Sequence, residues 1–82
     1  MSSEMNEKIA IQLDMTGKEC FQIRLELRVQ IKTLAIGEII KVTTDNPLSP
    51  KSMPKWCKIN NQELFLSDIQ NGNYIFFIKR IS

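Results

Sequence analysis

A β-type segment, a helical segment and a second β-type segment follow one another between residues 8 and 45, and this succession restricts the fold more than any other feature of the chain. In residues 8–14, KIAIQLD, Ile9, Ile11 and Leu13 alternate with Lys8, Gln12 and Asp14, the period of a half-buried strand. After a turn through Gly17, the positions Ile23, Leu27, Ile31 and Leu34 recur at helical spacing, with Arg24, Arg28 and Lys32 on another side. Leu25 and Val29 widen the apolar stripe, as expected of a helix lying on a sheet. Ala35-Ile36-Gly37 closes the helix, with Gly37 suited to the left-handed conformation that follows a helix end. Residues 38–45, EIIKVTTD, are rich in β-branched side chains and read as a second strand. Strands joined through a helix and short loops form a right-handed crossover, so the sheet is predicted to begin parallel.

The second half completes the pattern. Residues 46–61 carry all three prolines, and Ser49 before Pro50, with Ser52 shortly before Pro54, supplies N-cap and first-turn signals for a short second helix. Asn60 and Asn61 are placed to end it, because Asn tolerates positive φ. Two strands follow, QELFLSDIQ over 62–70 and YIFFIKRI over 74–81, separated by the hairpin signal NGN. The fold class expected is α/β, an α+β two-layer sandwich of order βαβαββ, with a four-stranded mixed sheet and two helices on one face. Tyr74, Phe76 and Ile78 are predicted to face the helices, and Ile75, Phe77 and Ile81 the open side beside Phe65. That apolar surface reads as a twisted sheet with scattered surface hydrophobes or, alternatively, as the face of a homodimer or partner contact.

With 82 residues the chain holds one modest core, here assigned to residues 8–82, behind a polar tail over 1–7 that is expected to be disordered. Eleven basic and nine acidic residues leave a net charge of +2, spread over several elements, which gives little support to nucleic-acid binding. The lack of a long apolar run argues against a membrane partner and points to the cytoplasm. Two cysteines without zinc spacing, and no His in the chain, disfavour metal binding and His-based catalysis, and no cofactor motif is present.

Cys20 and Cys57 differ in setting. Free Cys is among the most buried residue types, so either residue alone reads as packing. Cys57 lies in PKWCK within the second helix, beside the only Trp, and is read as a core residue. Cys20 falls at the start of the first helix, beside unpaired backbone N–H groups and the positive end of the helix dipole, which stabilise a thiolate. Arg24, one turn on, adds positive potential, and Arg24, Arg28 and Lys32 form either a solvated face or a docking strip for an acidic partner. One plausible nucleophile without a base, metal or cofactor does not make a complete active site. It suffices to carry a group on sulfur between larger enzymes.

Four segments in order and spacing resemble the TusA/SirA-like (YedF-like) sulfur carrier family. Leu13, Asp14, Gly17 and Cys20 match its LDxxGxxCPxP segment, and GEIIKVTTDNP over 37–47 is similar to its GExLxVxxxDP. MPKWCKINNQEL resembles its IPxWC and HEL, and YIFFIKR its closing YxFxIRK. The resemblance implies a fold like the C-terminal domain of bacterial translation initiation factor three. It also implies that Cys20 accepts a sulfane sulfur from a donor protein and yields it to an acceptor protein, as in tRNA thiolation, molybdenum cofactor synthesis or sulfur oxidation. The chain departs from the family at Cys20-Phe21-Gln22-Ile23 in place of Cys-Pro-x-Pro, and at Lys18 in place of a usual Leu. Losing a proline at a compatible site removes about 0.4–1 kcal/mol of preorganisation. Phe21 and Ile23 in return restore backbone donors near the sulfur. Phe21, Arg24 and Arg28 are the expected partner-binding positions, with Phe21 either a ring that shields the thiol or a docking anchor. The alternative reading is a divergent regulatory or adaptor module that keeps the fold without the chemistry.

Overall fold

The computed structural model describes residues 9–82, so the tail assigned to 1–7 lies outside the described residues. The elements are β1 (Ile9–Asp14), α1 (Cys20–Ile31), β2 (Ile39–Thr44), α2 (Ser49–Ile59), β3 (Glu63–Gln70) and β4 (Asn73–Lys79). The sheet order is β1-β2-β4-β3, with β1 parallel to β2 and the remaining pairs antiparallel. The order βαβαββ and the mixed sheet are those expected from the sequence.

Both helices cover the same side of the sheet. Ile23, Leu27 and Ile31 of α1, with Met53, Trp56 and Cys57 of α2, pack on Ile40, Val42, Phe76 and Ile78. Tyr74 joins them at the edge, so Tyr74, Phe76 and Ile78 lie on the helix side as predicted. The shortest dimension, 18 Å, matches one sheet under one layer of helices, given roughly 10 Å between packed layers.

Several local expectations are corrected. Leu25 and Val29 do not widen the buried stripe: they are 58% and 60% exposed, because α1 meets the sheet only along the Ile23-Leu27-Ile31 line. Helix α1 ends at Ile31, and Arg80 Nη1 donates to the carbonyls of Lys32 and Leu34 at 3.2 and 2.7 Å, holding the exit from α1 against the C-terminal segment. Gly37, at φ 97°, therefore sits in the turn Ala35–Glu38 that enters β2 and not at the helix end. Ser49 is the first residue of α2 and not its cap. Its hydroxyl and that of Ser52 are buried without a partner among the described residues, and Asn46 Oδ1 instead accepts the Leu48 N–H at 2.9 Å. Asn61, at φ 56°, does end α2 in the left-handed region.

The hairpin turn falls on Asn71 and Gly72, both at positive φ, the primed geometry that suits twisted strands. Strand β4 stops at Lys79, so Ile81 lies beyond the sheet, its N–H bonded to Gln62 Oε1. On the open face Ile75 is buried, and the bulge at Phe65 puts that ring under the Lys79 ammonium at 5.7 Å, while Lys41 lies 6.0 Å from the Phe77 ring. Lysine stems thus cover part of the apolar surface on this side.

Candidate functional site

Cys20 is placed by the loop that leaves β1. The Asp14 carboxylate accepts the Thr16 N–H at 3.1 Å and the Thr16 hydroxyl at 2.7 Å, which bends the chain immediately after the strand. These bonds favour the charged form, so the Asp14 carboxyl is lowered from its ordinary 3.8 although it is exposed. Lys18 N–H then bonds Met15 C=O at 3.2 Å, closing a turn in which Gly17 adopts φ 78°. A side chain there would be strained, which accounts for glycine at this position. The loop is also tied to the β2–α2 connection: Gly17 N–H donates to Asp45 Oδ1 at 3.0 Å and Asn46 Nδ2 to Lys18 C=O at 3.4 Å. Asp14, Gly17 and Asp45 therefore act together as a cradle for the cysteine loop.

The cap of α1 follows. Glu19, in an extended conformation, is the N-cap, and its N–H donates to Gln22 Oε1 at 2.8 Å. Its carbonyl accepts the N–H groups of Gln22 at 3.0 Å and Ile23 at 3.1 Å. Cys20 and Phe21 keep N–H groups without a partner among the described residues, and Cys20 itself is half-buried. The donor expected from Ile23 is corrected: it is consumed inside the first turn. Cys20 thus stands on the first turn of α1, at the positive end of the helix dipole and on a turn that keeps two free N–H groups.

The residues that replace the family's prolines have opposite environments. Ile23 is fully buried in the core, whereas Phe21 is 54% exposed. Phe21 lines a groove between α1 and α2 together with Arg24, Leu25, Arg28 and Trp56. Phe21, Arg24 and Arg28 are thus brought together on one side of α1. Lys32 is the C-cap and lines a separate hollow with Arg28 and Arg80, so the basic strip runs from one depression to the next. No stretch of the sequence signals that α2 shares this surface, because contact across two helices leaves no local periodicity.

Cys57 sits within α2, 2% exposed among core side chains. Burial pushes its thiol from 9.0 up to about 11, which suppresses the thiolate at neutral pH.

Fold and site together define a small two-layer α+β domain that presents a single accessible thiol on the first turn of a helix. The family model for the sulfurtransferase TusA matches residues 11–80, and the chain belongs to that family. It is similar to the sulfur carrier protein TusA of Pseudomonas putida, 29% identical over 68 residues that cover 83% of this chain and 85% of the relative. The sulfur carrier protein TusA of Pseudomonas aeruginosa is 28% identical over 76 residues, covering 93% of this chain and 96% of the relative.

Proposed function

We propose that this single domain, residues 8–82, is a sulfur carrier that holds a persulfide on Cys20 and relays it from a donor protein to an acceptor protein. The observation that carries this reading is the contrast in thiol environments. Cys20 stands at a helix N-terminus beside two unpartnered N–H groups, and Cys57 is sealed in the core with a raised pKa.

The Cys20 thiolate attacks the outer sulfur of a donor persulfide. One S–S bond forms as the donor's S–S bond breaks, the donor cysteine leaves as a thiolate with the electron pair, and the proton stays on the transferred sulfur. Transfer to an acceptor thiolate repeats the same exchange with Cys20 as the leaving group. There is no net oxidation, so no cofactor is required. The unpartnered N–H groups of Cys20 and Phe21 lie on the same helical turn as this sulfur. Phe21, Arg24 and Arg28 line the surface next to the thiol and serve as contacts for donor and acceptor. Among the described residues no helix is long and apolar enough to cross a membrane. A free thiol in this role calls for a reducing compartment, and we assign the protein to the cytoplasm.

Incubation with a cysteine desulfurase and L-cysteine, followed by intact mass measurement, tests the proposal. The expected result is a gain of one sulfur that is absent in Cys20→Ser. If the wild type gains none while Cys20→Ala still forms stable complexes with partner proteins, the chain is an adaptor without sulfur chemistry.

A further inference from the structure

Helix α1 exposes an apolar ridge. Phe21, Leu25 and Val29 follow one another at intervals of four residues and are 54%, 58% and 60% exposed. Across the groove, Ile59 of α2 is 73% exposed, and Trp56 forms part of the lining between the two helices. Side chains of this kind are normally buried in a core; Phe21, Leu25 and Ile59 line one depression together with Trp56, and Val29 extends the ridge beyond it.

The charge on this surface has one sign. Arg24 and Arg28 from α1 and Lys55 from α2 line the groove, and among the described residues no carboxylate lines either of its two contiguous parts. Among the described residues, none of these three cations is paired with a carboxylate. The nearest acid on the helix, Glu26, is engaged by Gln30 Nε2 at 2.8 Å. An apolar trough flanked by unpaired cations is complementary to an amphipathic helix whose apolar seam is bordered by Asp or Glu. The depression, about 420 Å³ in its larger part, is open along its length, which suits side chains of a helix lying along it better than an enclosed small molecule.

We propose that the groove between α1 and α2 docks an acidic amphipathic helix of the relay partner, with Ile59 and Lys55 of α2 as contacts alongside Phe21, Arg24 and Arg28. The inference rests on the sulfur-carrier reading for the identity of that partner, but the groove itself does not depend on sulfur chemistry. It places docking on a face that begins beside Cys20, so the bound helix anchors the partner while the thiol stays open. The two prolines of the family motif are thereby exchanged for a core residue, Ile23, and the first residue of the apolar ridge, Phe21.

The test uses full-length Cys20→Ser protein, so that its outcome is independent of whether Cys20 carries sulfur. A fluorescein-labelled helical peptide with Leu at successive i and i+4 positions flanked by Glu is titrated and followed by anisotropy. Trp56, the only tryptophan, supplies a second readout by its emission. Expected are saturable binding, a change in Trp56 emission, and a loss of affinity of about tenfold or more on Ile59→Asp and on Lys55→Glu. A peptide with Lys in place of Glu is expected to fail. Both substituted positions are exposed, so the fold survives the changes. Absence of binding, binding unaffected by both substitutions, or tighter binding of a single-stranded uridine oligonucleotide than of the peptide would each overturn the proposal. Sulfur loading of the wild type by the desulfurase, measured separately, stands or falls without reference to these results.

Discussion

Cys20 and Cys57 both lie on helices that cover the same face of one sheet, but the forces that fix them differ. Cys20 is held by backbone hydrogen bonds and by polar side chains of two loops, with its thiol half-buried and free N–H groups beside it. Cys57 is held by packing among Met53, Trp56 and the strand side chains, and burial raises its thiol to about 11. A polar cradle fixes position while leaving the atom accessible. A packed core fixes position by removing access. The same residue type thus becomes a candidate nucleophile in one place and an apolar filler in the other.

Ile23 is where the two regions meet, one turn from Cys20 and fully buried. Restoring the family's second proline with Ile23→Pro removes both the buried side chain and the N–H bonded to Glu19, and is expected to cost about 3 kcal/mol or more in urea unfolding. Phe21→Pro removes an exposed side chain and an N–H without a partner, so its stability is expected to stay within about 1 kcal/mol of the parent. Equal losses for the two would mean that the first turn is not divided between core and surface as described.

Cys57→Ser puts a hydroxyl into the core and is expected to lower stability by about 1–3 kcal/mol while leaving sulfur loading intact. The pH dependence of stability sharpens the same point. Between 9.0 and about 11 the unfolded chain has lost the Cys57 proton and the folded chain keeps it, so stability falls as pH rises through that window. Comparison of the parent with Cys57→Ala by thermal unfolding at pH values across that interval is expected to show a flatter slope in the variant.

Asp45→Ala deletes the acceptor for the Gly17 N–H and is expected to cost about 0.5–1.5 kcal/mol, with slower alkylation of Cys20 and no exposure of Cys57 to the reagent. The smallest effect concerns Asp14. Its folded pKa is depressed, so the stability it contributes is present above the unfolded value of 3.8 and is lost as pH falls through the lower folded value. An NMR titration is expected to show the Thr16 amide shifting with the Asp14 carboxyl. A Thr16 amide that does not follow it would remove this bond from the cradle.

Much of the architecture was legible because it depends on local periodicity. The alternation in β1, the buried line Ile23-Leu27-Ile31, and the NGN hairpin each report on neighbours in sequence, and each lies where expected. The position of Cys20 at a helix start was legible for the same reason. Features set by contacts far along the chain were not. Arg80 closing the exit from α1, Asp45 holding the Gly17 turn, and Ile59 facing Phe21 across a groove join residues from separate elements, which no single stretch reveals. Apolar character alone does not tell a core stripe from an exposed ridge, so Leu25 and Val29 read as part of the buried stripe in sequence and stand exposed in the fold.

In the proposed relay one cysteine of the two carries sulfur. Wild-type protein loaded by a desulfurase with L-cysteine, alkylated, digested and mapped by mass spectrometry tests it most directly. The expected result is the additional sulfur on the peptide containing Cys20 and an unmodified Cys57 that is alkylated only after unfolding. Sulfur on Cys57, or on neither cysteine, would contradict it.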